Sequence, residues 1–349
     1  MRRVKLSEIV ENKDSKRVPV KASDRGKMSG KYPYYGASGV VDHVDDYLFE
    51  GPNLLIGEDG ANLLSRSTDI AFIADGKYWV NNHAHVLGAD HIVTLQYLKY
   101  FINSIDLSPY VTGSAQPKLN QRNLNKIEVP FLTLPEQKTI VAKLDRAQRL
   151  IDIDREMLAK YDELIQSVFL EMFGDPVRNE KGWERVIFSK VFDITTGKLN
   201  ANAAVENGEY PFFTCSREIS WIDDYAFNTE ALLLAGNNAS GDFNIKHYKG
   251  KFNAYQRTYV LTSEENYGFL KIALDHFLNQ MKSDSIGTNT KYLTLKLLDR
   301  INIPVPPINL QNKFNDIVTK IDEEKKIVNQ QQFKKSEELF SSLVQGVFG

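Results

Sequence analysis

A chain of 349 residues, 42% hydrophobic and 25% charged, is long enough for two domains with separate cores and too apolar for wholesale disorder. A single cysteine, Cys215, excludes an internal disulfide; with no run of membrane-spanning length and no signal-like start in MRRVKLSEIVENKD, a cytoplasmic chain without membrane contact is expected. The net charge of −2 carries no nucleic-acid signal, so a DNA partner would need positive charge gathered on one face.

In chain order, NLLIG (53–57), IAFIA (70–74) and YWVNN (78–82) predict short strands set apart by turn clusters such as GEDGAN (57–62). TLQYLKYFINSI (94–105) has apolar residues at spacings of three and four and predicts a helix. A much longer helix is expected from about 136 to 173, with Ile140, Leu144, Ala147, Ile151, Leu158, Tyr161, Ile165, Val168 and Met172 in one stripe that Asp154 interrupts. At 1.5 Å per residue it would be about 57 Å long, more than one small domain needs. FGDP (173–176) suits its stop. Beyond it, ALLLA (231–235) predicts a strand, GNNASGD (236–242) a turn and YGFLKIALDHFLNQM (267–281) a helix. A second long helix is expected from about Leu310, with Phe314, Ile317, Ile321, Val328, Phe340, Leu343 and Val347 on its stripe. Three more residues separate Gln311 from Ile317-Val318 than separate Gln137 from Ile140-Val141, which leaves the start of this helix open.

The two halves are one text written twice. KYPYYGASGVVDHVDDYLFEGPNLLIG (31–57) lies over EYPFFTCSREISWIDDYAFNTEALLLA (209–235) without a gap, at an offset of 210 − 32 = 178. GKYWVNNHAHVL (76–87) matches GKFNAYQRTYVL (250–261), and Gly113, Ile127 and Pro130 match Gly287, Ile301 and Pro304. Units this long indicate duplication of a domain, not a solenoid. The fold class expected is α/β: two similar globular domains with a partly barrel-like sheet, separated by two long helices that pack as an antiparallel coiled coil. The segments are 1–134, 135–174 (central helix), 175–309 and 310–349 (C-terminal helix).

GSAQPKLNQRNLNKIEVPFLTLPEQKTIVAKLD (113–145), FGDP (173–176) and KGWERV (181–186) resemble the specificity (S) subunit of type I restriction–modification systems, over essentially the whole chain. The resemblance implies two target-recognition domains, each reading one half of a bipartite double-stranded DNA target. It implies that the helices set the spacing and dock two modification (methyltransferase) subunits, with restriction/translocase subunits joining. The subunit itself would be no enzyme and bind no cofactor; S-adenosylmethionine, ATP and Mg would sit on its partners.

DNA reading needs amides for base edges and Lys or Arg for phosphates. Asn81, Asn82, His83 and His85 stand where the second copy has Tyr255, Gln256 and Arg257, inside shared flanks. The turns GSAQPK and GTNTKY add Ser114, Gln116 and Lys118, and Thr288, Thr290 and Lys291. Lys77 and Lys251, from the shared Gly-Lys-aromatic, are phosphate candidates, and Ser38, Ser216 and Arg217 flank the repeated Tyr-Pro-aromatic-aromatic. No catalytic or metal residues are expected: neither GEDGAN nor AGNNASG is a P-loop, and no acid-x-Lys accompanies Asp45-Asp46 or Asp223-Asp224. His83-x-His85 has no third ligand in the sequence nearby, and Cys215 replaces Ala37. Two other readings stay open: a duplicated protein-interaction scaffold that never touches DNA, and a specificity subunit of a type IIB-like or modification-only system.

Overall fold

The computed structural model describes residues 2–113 and 115–349. They form two compact units: unit 1 runs to Arg155 and includes Gln330–Gly349, and unit 2 is Glu156–Asn329. The long helices are therefore not separate bodies. Each gives one half to one unit and one half to the other.

In unit 1 the sheet is in two pieces. One orders Glu11–Asn12, Ala84–Gly88, Asn53–Gly57 and Ala71–Ala74; the other orders Gly39–Val44, Ser29–Gly36, Lys77–Val80 and Phe49–Glu50. Unit 2 has the same strands in one six-stranded sheet, because Phe227–Ala235 and Ile245–Ala254 run through unbroken. In unit 1 Pro52, which has no N–H for a ladder, and the Asp75-Gly76 turn interrupt the corresponding strands. Each unit closes with a short antiparallel pair that ties its start to its end: Arg3–Lys5 on Glu128–Pro130, and Arg185–Ile187 on Asn302–Pro304. The predicted helices are Ile92–Ser104 and Tyr267–His276, the latter followed by a separate Leu278–Asp284. The repeated aromatics are framework: Tyr34, Phe212 and Phe213 are buried, and the Tyr34 hydroxyl accepts from Val20 N at 2.9 Å.

The central helix spans Leu134–Phe173. In unit 1 it buries Val141, Leu144, Ala147 and Ile151, and Phe348, Phe340 and Val347 of the C-terminal helix join the same core. The Asp154 that interrupts the stripe is buried and accepts from Ser336 Oγ at 2.7 Å. In unit 2 Ile165, Phe169 and Phe173 pack with Phe314 and Ile321. Ile140 lies by Val347 while Asp154 meets Ser336; Phe173 meets Phe314 edge to face while Asp162 pairs with Lys325. In each unit the two helix segments thus run antiparallel.

The C-terminal helix starts at Ile308, before the expected Leu310, and its start repeats that of the first. Gln137 Nε2 donates to Leu132 O at 2.9 Å and Gln311 Nε2 to Pro306 O at 2.8 Å, an offset of 311 − 137 = 174. At the far end Gly174 N donates to Leu170 O and Gly349 N to Gln345 O, an offset of 349 − 174 = 175. The one extra residue is taken up mid-helix, where Val328–Phe333 is wound as a π-helix. The open question at Gln311 is thereby answered: Phe314, not the Ile317-Val318 pair, occupies the position of Ile140.

Candidate nucleic-acid interface

One end of each sheet collects four loops on a frame of backbone hydrogen bonds, and the frame is the same in both units. In unit 1 Asn81 N donates to Tyr35 O (3.1 Å), Glu58 N to His83 O (2.8 Å) and Leu119 N to Glu58 O (2.8 Å). In unit 2 Tyr255 N donates to Phe213 O (2.9 Å), Gly236 N to Arg257 O (2.8 Å) and Leu293 N to Gly236 O (2.9 Å). Thr112 and Lys118 exchange both backbone bonds, as do Ile286 and Tyr292. The loops these pairs close begin at Gly113 (φ +84°) and Gly287 (φ +108°). A Cβ there would meet Gln116 O at 2.6 Å or Thr290 O at 2.0 Å, so the tight reversal requires glycine at both places.

Side chains on that frame differ between the copies. In unit 1 Asn82, Gln116, Lys118 and His83 are exposed. His83 Nδ1 lies 2.9 Å from Asp59, and Lys118 Nζ lies 3.1 Å from Glu58. In unit 2 Gln256 and Arg257 are exposed at the equivalent turn; Gln256 Nε2 donates to Asn200 Oδ1 at 2.7 Å, and the Arg257 guanidinium sits 5.7 Å above the Tyr292 ring. Tyr255, Thr290 and Lys291 are half-buried beside it, and Thr288 is exposed. Ser216 and exposed Arg217 reach the same end, where Arg217 pairs with Asp242 at 2.6 Å. Ser38 is exposed at the matching turn of unit 1; Ser114 lies outside the described residues.

Four expected readers are placed otherwise. His85 is 1% exposed with both ring nitrogens bonded inside the fold, so no base edge can reach it. Asn81 is buried and its Oδ1 accepts from His83 N at 2.7 Å; it shapes the turn. Lys77 opens its strand and Lys251 lies within Ile245–Ala254, each four residues before the residue that enters the loop (Asn81 or Tyr255), over the rings of Tyr47 (4.5 Å) and Tyr225 (4.6 Å). At about 3.3 Å per residue Lys77 is roughly 13 Å along the strand from Asn81, away from the loops.

Several residues that hold the loops went unnoticed in the sequence. Lys246, whose ammonium burial and nearby Arg217 push below its ordinary range, donates to Asn244 Oδ1 (2.6 Å) and Ser216 O (2.5 Å) and so fastens the loop of Arg217. Under the unit 1 loops lies a buried ionic group. His85 Nδ1 is 2.6 Å from Asp14 Oδ2, and Arg17 is 2.7 Å from Glu58 and 3.5 Å from Asp14. Asp14, Glu58 and His85 come close enough to bracket a cation. Arg17 and Lys118 already balance the two carboxylates, and a metal would have to displace Arg17, so the group fits an ion network and not a metal. Its only signal in the sequence is a paired change between copies: Glu58 and His85 stand where Gly236 and Tyr259 do.

Among the described residues no helix is long and apolar enough to cross a membrane. Residues 1–160 and 180–334 match the family model "Type I restriction modification DNA specificity domain". A putative type I restriction enzyme specificity subunit from Haemophilus influenzae is 32% identical over 345 residues, covering 91% of this chain and 86% of that protein. The EcoDI specificity subunit of Escherichia coli is 56% identical over 79 residues, 23% of this chain and 17% of that one. A crystal structure of an S subunit from M. genitalium, 18% identical, superposes with a TM-score of 0.57 over 100% of this chain and 96% of its own.

Proposed function

Because the chain belongs to the type I restriction–modification DNA specificity family, we propose that each unit reads one half of a bipartite duplex target with the four-loop end of its sheet. One observation carries this reading: the backbone frame is repeated bond for bond while the side chains it presents are exchanged, Asn82 for Gln256, His83 for Arg257 and Lys118 for Tyr292. Two half-sites of different sequence require that combination. Amide and guanidinium groups can pair with base edges in the major groove, and lysines at the rim can hold phosphates. Among the side chains named above, Asn82, His83, Gln116 and Lys118 form unit 1's reading set. Ser216, Arg217, Gln256, Arg257, Thr288, Thr290 and Lys291 form unit 2's, with Tyr255 shaping the turn.

The helices, read as an antiparallel coiled coil, set the spacing and carry two modification subunits. Leu150 and Ile153, in unit 1's segment of the central helix, support this: both are more than 40% exposed and lie about 60° apart on a helical wheel, on a face turned away from the core stripe. The chain supplies recognition only. S-adenosylmethionine, ATP and Mg then belong to the modification and restriction subunits.

Mapping modified bases in a host that carries this chain and its modification partner tests the reading. A bipartite motif is expected, and exchanging residues 76–87 for another sequence should change one half and leave the other. Gln256→Ala with Arg257→Ala should relax the unit 2 half-site by about 1–3 kcal/mol per lost base contact. Loss of both halves together would indicate misfolding, and a motif indifferent to both changes would sink the assignment.

A further inference from the structure

Hydrogen-bond bookkeeping fixes the protonation of His85. Its Nε2 lies 2.7 Å from Leu119 O, and a carbonyl oxygen only accepts, so Nε2 carries hydrogen. Its Nδ1 lies 2.6 Å from Asp14 Oδ2. Asp14 already accepts from Val86 N (2.8 Å) and Asn12 Nδ2 (3.1 Å) and faces Arg17. A carboxylate in that company is ionised, so Nδ1 carries hydrogen as well and the ring is an imidazolium.

Leu119 ends the loop that bears Gln116 and Lys118, so this ring fastens a reading loop to the sheet. The second copy uses a different group for the same bond: Tyr259 Oη donates to Leu293 O at 3.0 Å, and 259 − 85 and 293 − 119 both equal 174. Thr196, the strand neighbour paired with Tyr259, stands in the place of Asp14.

We propose that His85, bonded through both ring nitrogens, positions the reading loop of unit 1, and that Tyr259 does so in unit 2 through its hydroxyl. This rests on the recognition reading above. A neutral imidazole can donate from one nitrogen only, which turns a lone pair on either Leu119 O or Asp14 and releases one of them. The charged groups facing the ring are Asp14 and Arg17 from the 11–17 segment, Glu58 (3.8 Å) from the loop after Asn53–Gly57, and Lys118 through Glu58. His83 and Asp59 form a separate exposed pair in the adjacent turn.

The test uses the full chain assembled with its modification partner, on its mapped target and on duplexes altered in one half-site. Discrimination at unit 1's half-site should fall about tenfold in His85→Gln, which can fill only one of the two bonds, while unit 2's stays constant. It should return in Asp14→Thr with His85→Tyr, which installs unit 2's own pair. Nitrogen-15 NMR of the free chain should show hydrogen on both His85 ring nitrogens. Equal loss at both half-sites, a His85→Gln variant that reads as the wild type does, or a ring with hydrogen on one nitrogen only each overturns the proposal. An imidazolium in a chain whose target ignores unit 1 overturns the recognition reading instead.

Discussion

Arg17→Met should destabilise unit 1 by roughly 3–5 kcal/mol, the cost of leaving buried charge uncompensated. Arg17 is the cation shared by Asp14 and Glu58 beneath the loops, and it also donates to Ala84 O at 2.7 Å. Burial pushes both carboxyls up but is outweighed: for Asp14 by the hydrogen bond and charge of His85, for Glu58 by the hydrogen bond of Arg17 with His85 and Lys118 behind it. Both therefore sit below their ordinary ranges. Groups depressed in the folded state contribute stability above their unfolded values, and that contribution drains away as pH falls through the folded ones, a window below about pH 4. Through these two carboxyls the wild-type unit should accordingly lose stability in that acid range. In Arg17→Met Glu58 loses its hydrogen-bonded cation, so its share of the loss should begin at higher pH. Denaturant titration followed by the fluorescence of Trp79, which lies in unit 1, reads both effects. A variant as stable as the parent at neutral pH would mean that the network contributes nothing.

Phe169→Ala is the corresponding experiment in unit 2. Phe169 is fully buried, with the rings of Phe173 at 5.1 Å and of Phe269, Phe314 and His276 at 5.6 Å each. Emptying that aromatic cluster should cost about 3–5 kcal/mol, since rings held on every side cannot collapse into the cavity. Trp183 and Trp221 report on unit 2, and their transition should move while that of Trp79 does not. A shift of Trp79 by the same amount would show that the units unfold as one.

Duplication made the fold legible. With each strand written twice, chance apolar runs could be told from repeated ones: NLLIG is the strand Asn53–Gly57, and ALLLA is the second half of Phe227–Ala235. The central helix was legible because its stripe persists from Ile140 to Met172, most of a 40-residue helix. The π-helical turn was not, because one extra residue leaves no mark when it is spread through a polar stretch such as VNQQQF. In the candidate site the turn residues stood out where the copies disagree, at Asn82/Gln256 and His83/Arg257. The same rule misplaced His85, because disagreement with Tyr259 also arises when a buried bond is made by another chemistry. Lys77 and Lys251 were misplaced because spacing along a strand does not say which end faces a ligand. Asp14 and Arg17 were invisible: in DSKR they read as a solvated charge run, and only the fold carries them under the loops.

The frame beneath those loops is made of main-chain atoms, and the genetic code cannot edit main-chain atoms one at a time. Point mutations at the exposed loop side chains, Gly113 and Gly287 apart, therefore leave that frame standing, and on the reading proposed above a lineage can try new targets without first losing the protein. The freedom is unequal. In one copy a single codon, that of His85, fastens the loop to the sheet, so variation there should be purged while that at exposed His83, two positions earlier, drifts.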